Sequence, residues 1–406
     1  MGSDQNNRTF LEKLLDGAEV EWKTLGEVAK IQRGASPRPI SQYITDDPNG
    51  IPWIKIGDTT ADSKYIERTA QKITPEGAEK SRILKCGDFV MSNSMSYGRP
   101  YILKISGAIH DGWASISDFE SILTPNFLYY YLSSNPVQDY WDGKINSSSV
   151  SNLNSDIIKS LPIPIPPLSV QTEIVKILDA LTALTSELTS ELILRRKQYE
   201  YYRETLLLPD NLEQLNTEGV KKKLSDVAYF QNGKGHEKNI DENGSFIVIN
   251  SKFISTNGTV KKYCNEQIVP LFKDDILIVM SDLPNGKALA KTFFVKKDNK
   301  YTLNQRIGRI TVKEDSELLP SFVNHFLNRN KQLTKYDNGT DQTNLRKDQI
   351  LDVVIPIPPL KEQQRIVSIL DKFKTLTNSI TEGLPLAIEQ SQKRYEYYQE
   401  LLLNFS

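Results

Sequence analysis

Apolar residues along this 406-residue chain follow two rhythms that alternate. From Ile174 through Ile177, Leu178, Leu181, Leu184, Leu188 and Leu192 they recur at steps of three and four, and Tyr199, Tyr202 and Leu206 continue the face until Pro209. This spacing predicts an amphipathic helix of about 40 residues, roughly 60 Å at ~1.5 Å per residue. A second stretch runs through Ile366, Ile369, Leu370, Phe373, Leu376 and Ile380, then Ile388, Tyr395, Tyr398 and Leu402. It holds four extra residues near Gly383-Leu384-Pro385, where proline predicts a kink or break. One such helix cannot bury its stripe alone, so two antiparallel copies packed as a coiled-coil-like rod are expected.

Between the helices the rhythm shortens. Ile51-Pro52-Trp53-Ile54-Lys55-Ile56, Phe246-Ile247-Val248-Ile249 and Asp275-Ile276-Leu277-Ile278-Val279-Met280 are short β-branched and aromatic runs bounded by Gly, Asn and Asp. Each block also carries a late helical signal, at Pro125–Leu132 and Pro320–Leu327. The predicted fold is α+β: two α+β domains over residues 1–160 and 217–354, alternating with helical segments over 161–216 and 355–406. The Lys221-Lys222-Lys223 run reads as a solvated linker.

The chain is also written twice. Ile163-Pro164-Ile165-Pro166-Pro167-Leu168 returns as Ile355-Pro356-Ile357-Pro358-Pro359-Leu360, and Tyr199-Glu200-Tyr201-Tyr202 returns as Tyr395-Glu396-Tyr397-Tyr398. Leu25-Gly26-Glu27-Val28-Ala29 with Gln32 and Gly34 answers Leu224-Ser225-Asp226-Val227-Ala228 with Gln231 and Gly233. Between these ends the blocks diverge. A pseudo-two-fold tandem repeat with one frame and two interiors suits two different ligands.

Composition refines this picture. A hydrophobic content of 38% with 25% charged residues fits a folded soluble chain, and no apolar run approaches a membrane span. Two unmatched cysteines, Cys86 and Cys264, suit a reducing cytoplasm, and three scattered histidines make no zinc spacing. The net charge of −1 hides an asymmetry: residues 218–348 hold 22 Lys and Arg against 16 Asp and Glu. The second domain is therefore basic enough to attract phosphate, whereas the first must rely on local clusters. There is no phosphate-binding loop, no Asn/Asp-Pro-Pro-aromatic motif and no Gly-rich cofactor loop, which argues against a self-contained methyltransferase or nuclease. A coiled-coil scaffold with protein ligands remains the rival reading.

The helix end Lys197-Gln198-Tyr199-Glu200-Tyr201-Tyr202-Arg203, its twin around Tyr395, the tandem Thr185-Ser186-Glu187-Leu188-Thr189-Ser190-Glu191-Leu192 and the Leu376–Pro385 segment resemble the helical regions of type I restriction-modification specificity subunits. The resemblance covers essentially the whole chain. It implies a non-catalytic DNA reader whose two target-recognition domains address a bipartite double-stranded site across a nonspecific spacer. It further implies two methyltransferase subunits carrying S-adenosylmethionine, restriction subunits using ATP and Mg, and a cytoplasmic location. Leu181, Leu184, Leu188, Leu192, Tyr199, Tyr202, Phe373, Leu376, Ile380, Tyr395 and Tyr398 are then expected at helix–helix or methyltransferase contacts.

Loops rich in Gly, Ser, Asn and Arg are where phosphate and base contacts are expected. In the first domain the candidates are Arg33, Ser36, Arg38, Lys55, Asp58, Ser94, Tyr97 and Arg99. In the second they are Asn232, Lys234, His236, Asn250, Lys252, Ser281, Asn285, Lys287, Asn304, Gln305, Arg306, Gln342, Thr343, Arg346 and Lys347. Asn and Gln offer the donor and acceptor an adenine edge needs, and the cations suit phosphate. The bland alternative for each is an ordinary surface turn.

Overall fold

The computed structural model describes residues 10–60, 63–93, 97–146, 153–208, 211–212, 220–236, 238–284, 286–379 and 382–405. The chain divides into two compact units, residues 1–187 with 389–406, and residues 188–388.

Unit 1 is built on two five-stranded sheets. One runs in the order β2 (Lys30–Arg33), β11 (Trp113–Ser117), β8 (Phe89–Ser92), β9 (Pro100–Leu103), β5 (Tyr65–Ile66). The other runs β3 (Ile44–Thr45), β6 (Gln71–Ile73), β4 (Ile51–Ile54), β10 (Gly107–Ile109), β7 (Arg82–Leu84). Strand β8 is buried along its whole length, which is why its sequence reads as a continuous run rather than an alternation. A separate antiparallel pair joins β1 (Glu21–Thr24) to β12 (Pro162–Ile165), with Trp22 opposite Pro164. The repeated proline motif is thus first a strand that closes the unit; a two-stranded pair tolerates its missing N–H groups.

Unit 2 repeats this plan with fewer strands. Its sheets run β14 (Ala228–Asn232), β21 (Ile307–Val312), β17 (Ile276–Val279), β19 (Thr292–Phe294), and β16 (Tyr263–Cys264), β15 (Phe246–Ile249), β20 (Tyr301–Leu303). A short pair links β18 (Ser281–Asp282) to β22 (Thr343–Asn344). The lysine run expected to be a linker is strand β13 (Lys221–Lys223), paired with β23 (Val354–Pro356) so that Lys222 faces Ile355. Backbone pairing overrides its charge: the side chains leave the ladder, and Lys223 reaches Asp352 at 2.8 Å.

The long helices follow the predicted pattern. The first is unbroken over Leu168–Leu207, and the second is split into Leu360–Asn378 and Leu384–Leu403 beside Gly383 and Pro385. Within unit 1, Thr185 meets Ser391 at 2.8 Å and Tyr395 lies beside Asp179, so the C-terminal helix runs antiparallel to the first. Within unit 2, Arg196 reaches the Thr377 carbonyl, while Tyr199 and Tyr202 pack on Phe373, again antiparallel. Tyr395 and Tyr398 pack against the unit 1 core, and Tyr199 packs against that of unit 2.

The leucine stripe is less buried than its periodicity predicts. Ile174 and Leu178 are fully covered, Leu181, Leu188, Leu192 and Leu376 only partly, and Leu184 is exposed. Ile380 lies outside the described residues. In each unit two helices side by side cover one flank of each other, and the contacts are polar as well as apolar: Thr185 with Ser391 in unit 1, and Arg196 with the carbonyl of the buried Thr377 in unit 2.

Two glutamines anchor the helices to their domains. Gln171 accepts from Thr124 N at 2.8 Å and donates to the Ile122 and Pro166 carbonyls, both at 2.9 Å. Gln363 does the same with Leu319 N, Glu317 O and Pro358 O. Both side chains are fully buried. One turn pair further on, Asp179 holds the Tyr130 hydroxyl and Asp371 holds His325 Nε2 at 2.8 Å.

Candidate nucleic-acid interface

The two units share a backbone register at one end of their sheets. Gly34 N donates to Trp113 O at 2.8 Å, and Gly233 N to Ile307 O at 3.1 Å. His110 N donates to Ile54 O, and Asn304 N to Ile249 O. Asn93 N donates to Gly112 O, and Met280 N to Arg306 O. His110-Asp111-Gly112 is therefore the counterpart of Asn304-Gln305-Arg306, and Lys55 the counterpart of Asn250. Gly34 and Gly233 are glycines because the strands come too close for anything larger: a Cβ would collide with the carbonyl oxygen of His110 or Asn304.

In unit 1 the hub is Asp111. Its carboxylate accepts from the Ser36 hydroxyl at 3.0 Å and from His110 Nε2 at 3.0 Å, with the Arg38 guanidinium 3.4 Å away. Its carbonyl accepts from Arg33 Nε at 3.2 Å and from the Asn93 amide at 3.3 Å. His110 Nδ1 accepts from Gly112 N, leaving Nε2 to carry the proton toward the carboxylate. Partial burial works against ionisation of Asp111, but the Ser36 bond, His110 and Arg38 together hold its carboxyl below the ordinary range.

Arg33, Ser36 and Arg38 are thus brought together, with Lys55 on the wall of the same cavity. Asp58 is not a free contact: its carboxylate caps a tight turn, accepting from Lys55 N at 2.8 Å and Ala70 N at 2.9 Å. Tyr97 donates to Asp142 at 2.8 Å, which raises its own pKa, and Arg99 lies over the Tyr101 ring. Both contacts are made within their own domain. Ser94 lies outside the described residues.

In unit 2 four candidate segments adjoin. Lys234 bridges to Asn304, and its carbonyl accepts from Gln305 N. Gln342 donates to Ser281 Oγ at 2.8 Å, Thr343 pairs with Asp282, and Leu345 N reaches the Met280 carbonyl. Asn232, Lys234, Arg306, Arg346, Lys347, Lys252 and Lys287 are exposed. Asn304 Oδ1 is buried without a protein partner. His236 differs from its expected role: it is buried, with its ring between the Lys234 carbonyl and Thr302 Oγ1, so it braces the loop from inside. Asn250 caps the short helix that carries Lys252, accepting from Phe253 N at 2.9 Å. Asn285 lies outside the described residues.

Sequence reading missed His110, Asp111 and Gln71 in unit 1; in unit 2 Asp282, inside the candidate loop that begins at Ser281, is turned inward, its carboxylate gathering the Leu283, Ala288 and Leu289 N–H groups. The signal for the first two was the repeated Gln-x-Gly, whose glycine packs on position 110 in one unit and 304 in the other. The facing segments share no letters, so only the register reveals them.

Two α+β units with matched frames and dissimilar polar loops define a two-headed recognition protein. Residues 18–195 and 216–390 each match the family described as type I restriction modification DNA specificity domain. The chain belongs to this family of non-catalytic specificity subunits, with two tandem recognition domains. It is 41% identical to a type I restriction enzyme specificity subunit of Haemophilus influenzae, across 99% of this chain and all of the relative. It is 32% identical to the EcoR124I/EcoR124II specificity subunit of Escherichia coli, across 98% and 97%. A solved chain from a study of assembly and conformational transition of a type I restriction-modification system shares its fold, at a TM-score of 0.61, 15% identity and coverage of 96% and 98%. Among the described residues, no helix is long and apolar enough to cross a membrane.

Proposed function

We propose that each unit reads one half of a bipartite duplex site and that the helices set the distance between halves and dock two methyltransferase subunits. The division into recognition domains at 1–160 and 217–354 and helical regions at 161–216 and 355–406 belongs to this proposal. The chain itself binds no cofactor; S-adenosylmethionine sits on the methyltransferase subunits, and ATP and Mg on restriction subunits, in the cytoplasm.

The observation that carries the reading is the matched register with unmatched chemistry, His110-Asp111-Gly112 in one unit and Asn304-Gln305-Arg306 in the other. A shared strand register whose turn residues differ in chemistry suits two different words. Phosphate contacts from exposed Arg38, Lys234, Lys252 and Arg346 supply affinity, and the amides and carboxylate supply discrimination.

The test is binding-site selection by the chain with its methyltransferase subunits. A two-part motif with a constant gap supports the proposal. Removing residues 185–188, about 6 Å of helix, is expected to shorten the gap and leave both halves unchanged. Binding to random duplex that does not weaken with salt would favour a protein scaffold instead.

A further inference from the structure

A cavity of about 540 Å³ opens in unit 1 beside the 33–38 loop, with Trp53, Lys55, Gln71, His110 and Asp111 on its wall. Trp53 is buried and meets His110 edge-on, with ring centroids 6.0 Å apart. The half-buried Lys55 ammonium donates to Gln71 Oε1 at 2.7 Å. That bond assigns the amide: the oxygen is turned to the lysine, so Nε2 presents its two N–H groups elsewhere, and the ammonium keeps two more.

The pair's free N–H groups are all donors, and its one acceptor, Gln71 Oε1, is turned to the ammonium. In the major groove, the edge with two adjacent acceptors and no donor is guanine, O6 beside N7. Adenine places a donor next to N7, and thymine offers one acceptor and a methyl group. Asp111 supplies, on the same wall, the acceptor that cytosine N4 requires. We infer that Lys55 and Gln71 select a G·C pair within the half-site of unit 1, which makes Gln71 a specificity-determining residue. This rests on the duplex-reading role proposed above.

Unit 2 supports the assignment by contrast. Trp53 faces Gln71 across β4 and β6, and the corresponding Val248 N donates to Lys262 O across β15 and β16. The same two registers thus carry Asn250 and Lys262, the cation and amide exchanged. There the Asn250 oxygen is occupied by a helix cap and Lys262 is exposed. One frame offers two different donor patterns, as two different half-sites require.

The experiment uses the complete complex with methyltransferase subunits and a duplex library randomised over both halves. A benzophenone on Ser41→Cys, in a Cys86→Ser background, marks by crosslinking which enriched half belongs to unit 1. That half is expected to contain a fixed G·C pair, and 7-deazaguanine at that position, lacking the N7 acceptor, is expected to weaken binding. Lys55→Met is expected to lower discrimination there by about 5- to 150-fold, with the other half unchanged. Gln71→Glu, which keeps the bond to Lys55 and replaces donors with an acceptor, is expected to shift preference away from guanine at that position alone. A two-part motif whose unit 1 half lacks a G·C pair, or survives both substitutions, overturns the inference and leaves the two-half reading standing. A complex that enriches no two-part motif overturns both.

Discussion

The Ser36 hydroxyl and Asp111 hold each other reciprocally: the hydroxyl donates to the carboxylate at 3.0 Å and accepts from the Asp111 backbone N–H at 3.2 Å. Through this pair the loop after β2 is tied to the turn before β11, a sequence separation of 75 residues. Asp111→Ala is expected to cost about 1–2 kcal/mol of unit 1 stability, mostly through Ser36, because the Arg38 pairing is largely exposed. Thermal denaturation checks the magnitude. Binding at one half-site alone is expected to lose discrimination, and equal loss at both halves would count against a local role.

Gly34→Ala and Gly233→Ala each drive a methyl group into a backbone carbonyl that belongs to a neighbouring strand end. Rotating either carbonyl away would break the bond made by the N–H of the same peptide, Asp111 N to Ser36 Oγ in one unit and Gln305 N to Lys234 O in the other. A loss of about 1–3 kcal/mol is expected for each, measured by urea denaturation. An unchanged midpoint would show that the neighbouring backbone gives way to the methyl group without cost.

Gln171→Leu leaves one N–H and two carbonyls without their partner in a fully buried position. Since each orphaned buried group costs about 1–3 kcal/mol, a loss of at least 2 kcal/mol is expected. Gln363→Leu should behave alike, because it makes the same three bonds. Calorimetry of the two variants compares them directly.

Asp371 is held below the ordinary aspartate value, chiefly by its bond to His325 and against partial burial. With its folded value lowered, its contribution to stability is present above about pH 3.9 and is lost as pH falls through the folded value. Asp371→Asn is therefore expected to flatten the acid limb of the stability curve below pH 4, read by near-ultraviolet circular dichroism. An identical acid limb would show that His325 does not favour the carboxylate.

Much of the frame was legible because it depends on local periodicity. The three- and four-residue spacing from Ile174 to Leu206 suffices for a helix, and Pro385 suffices to interrupt its twin. The candidate interface was legible only in part. Asn304-Gln305-Arg306 stood out as a polar cluster, whereas His110-Asp111 did not, although the same strand register places both. His236 and Asp58 were polar residues in loops, yet their partners, Thr302 and Ala70, turn them inward.

By itself the amino-acid order determined the duplication, the alternation of helix and α+β block, and the family, since each is carried by residues near one another in the chain. Tertiary structure decided which polar side chains face outward and which are occupied. Those outcomes depend on hydrogen bonds between residues such as Ser36 and Asp111, brought together only when the strands pair. It also made a strand of the Lys221–Lys223 run, where a partner backbone at Val354–Pro356 outweighed three like charges.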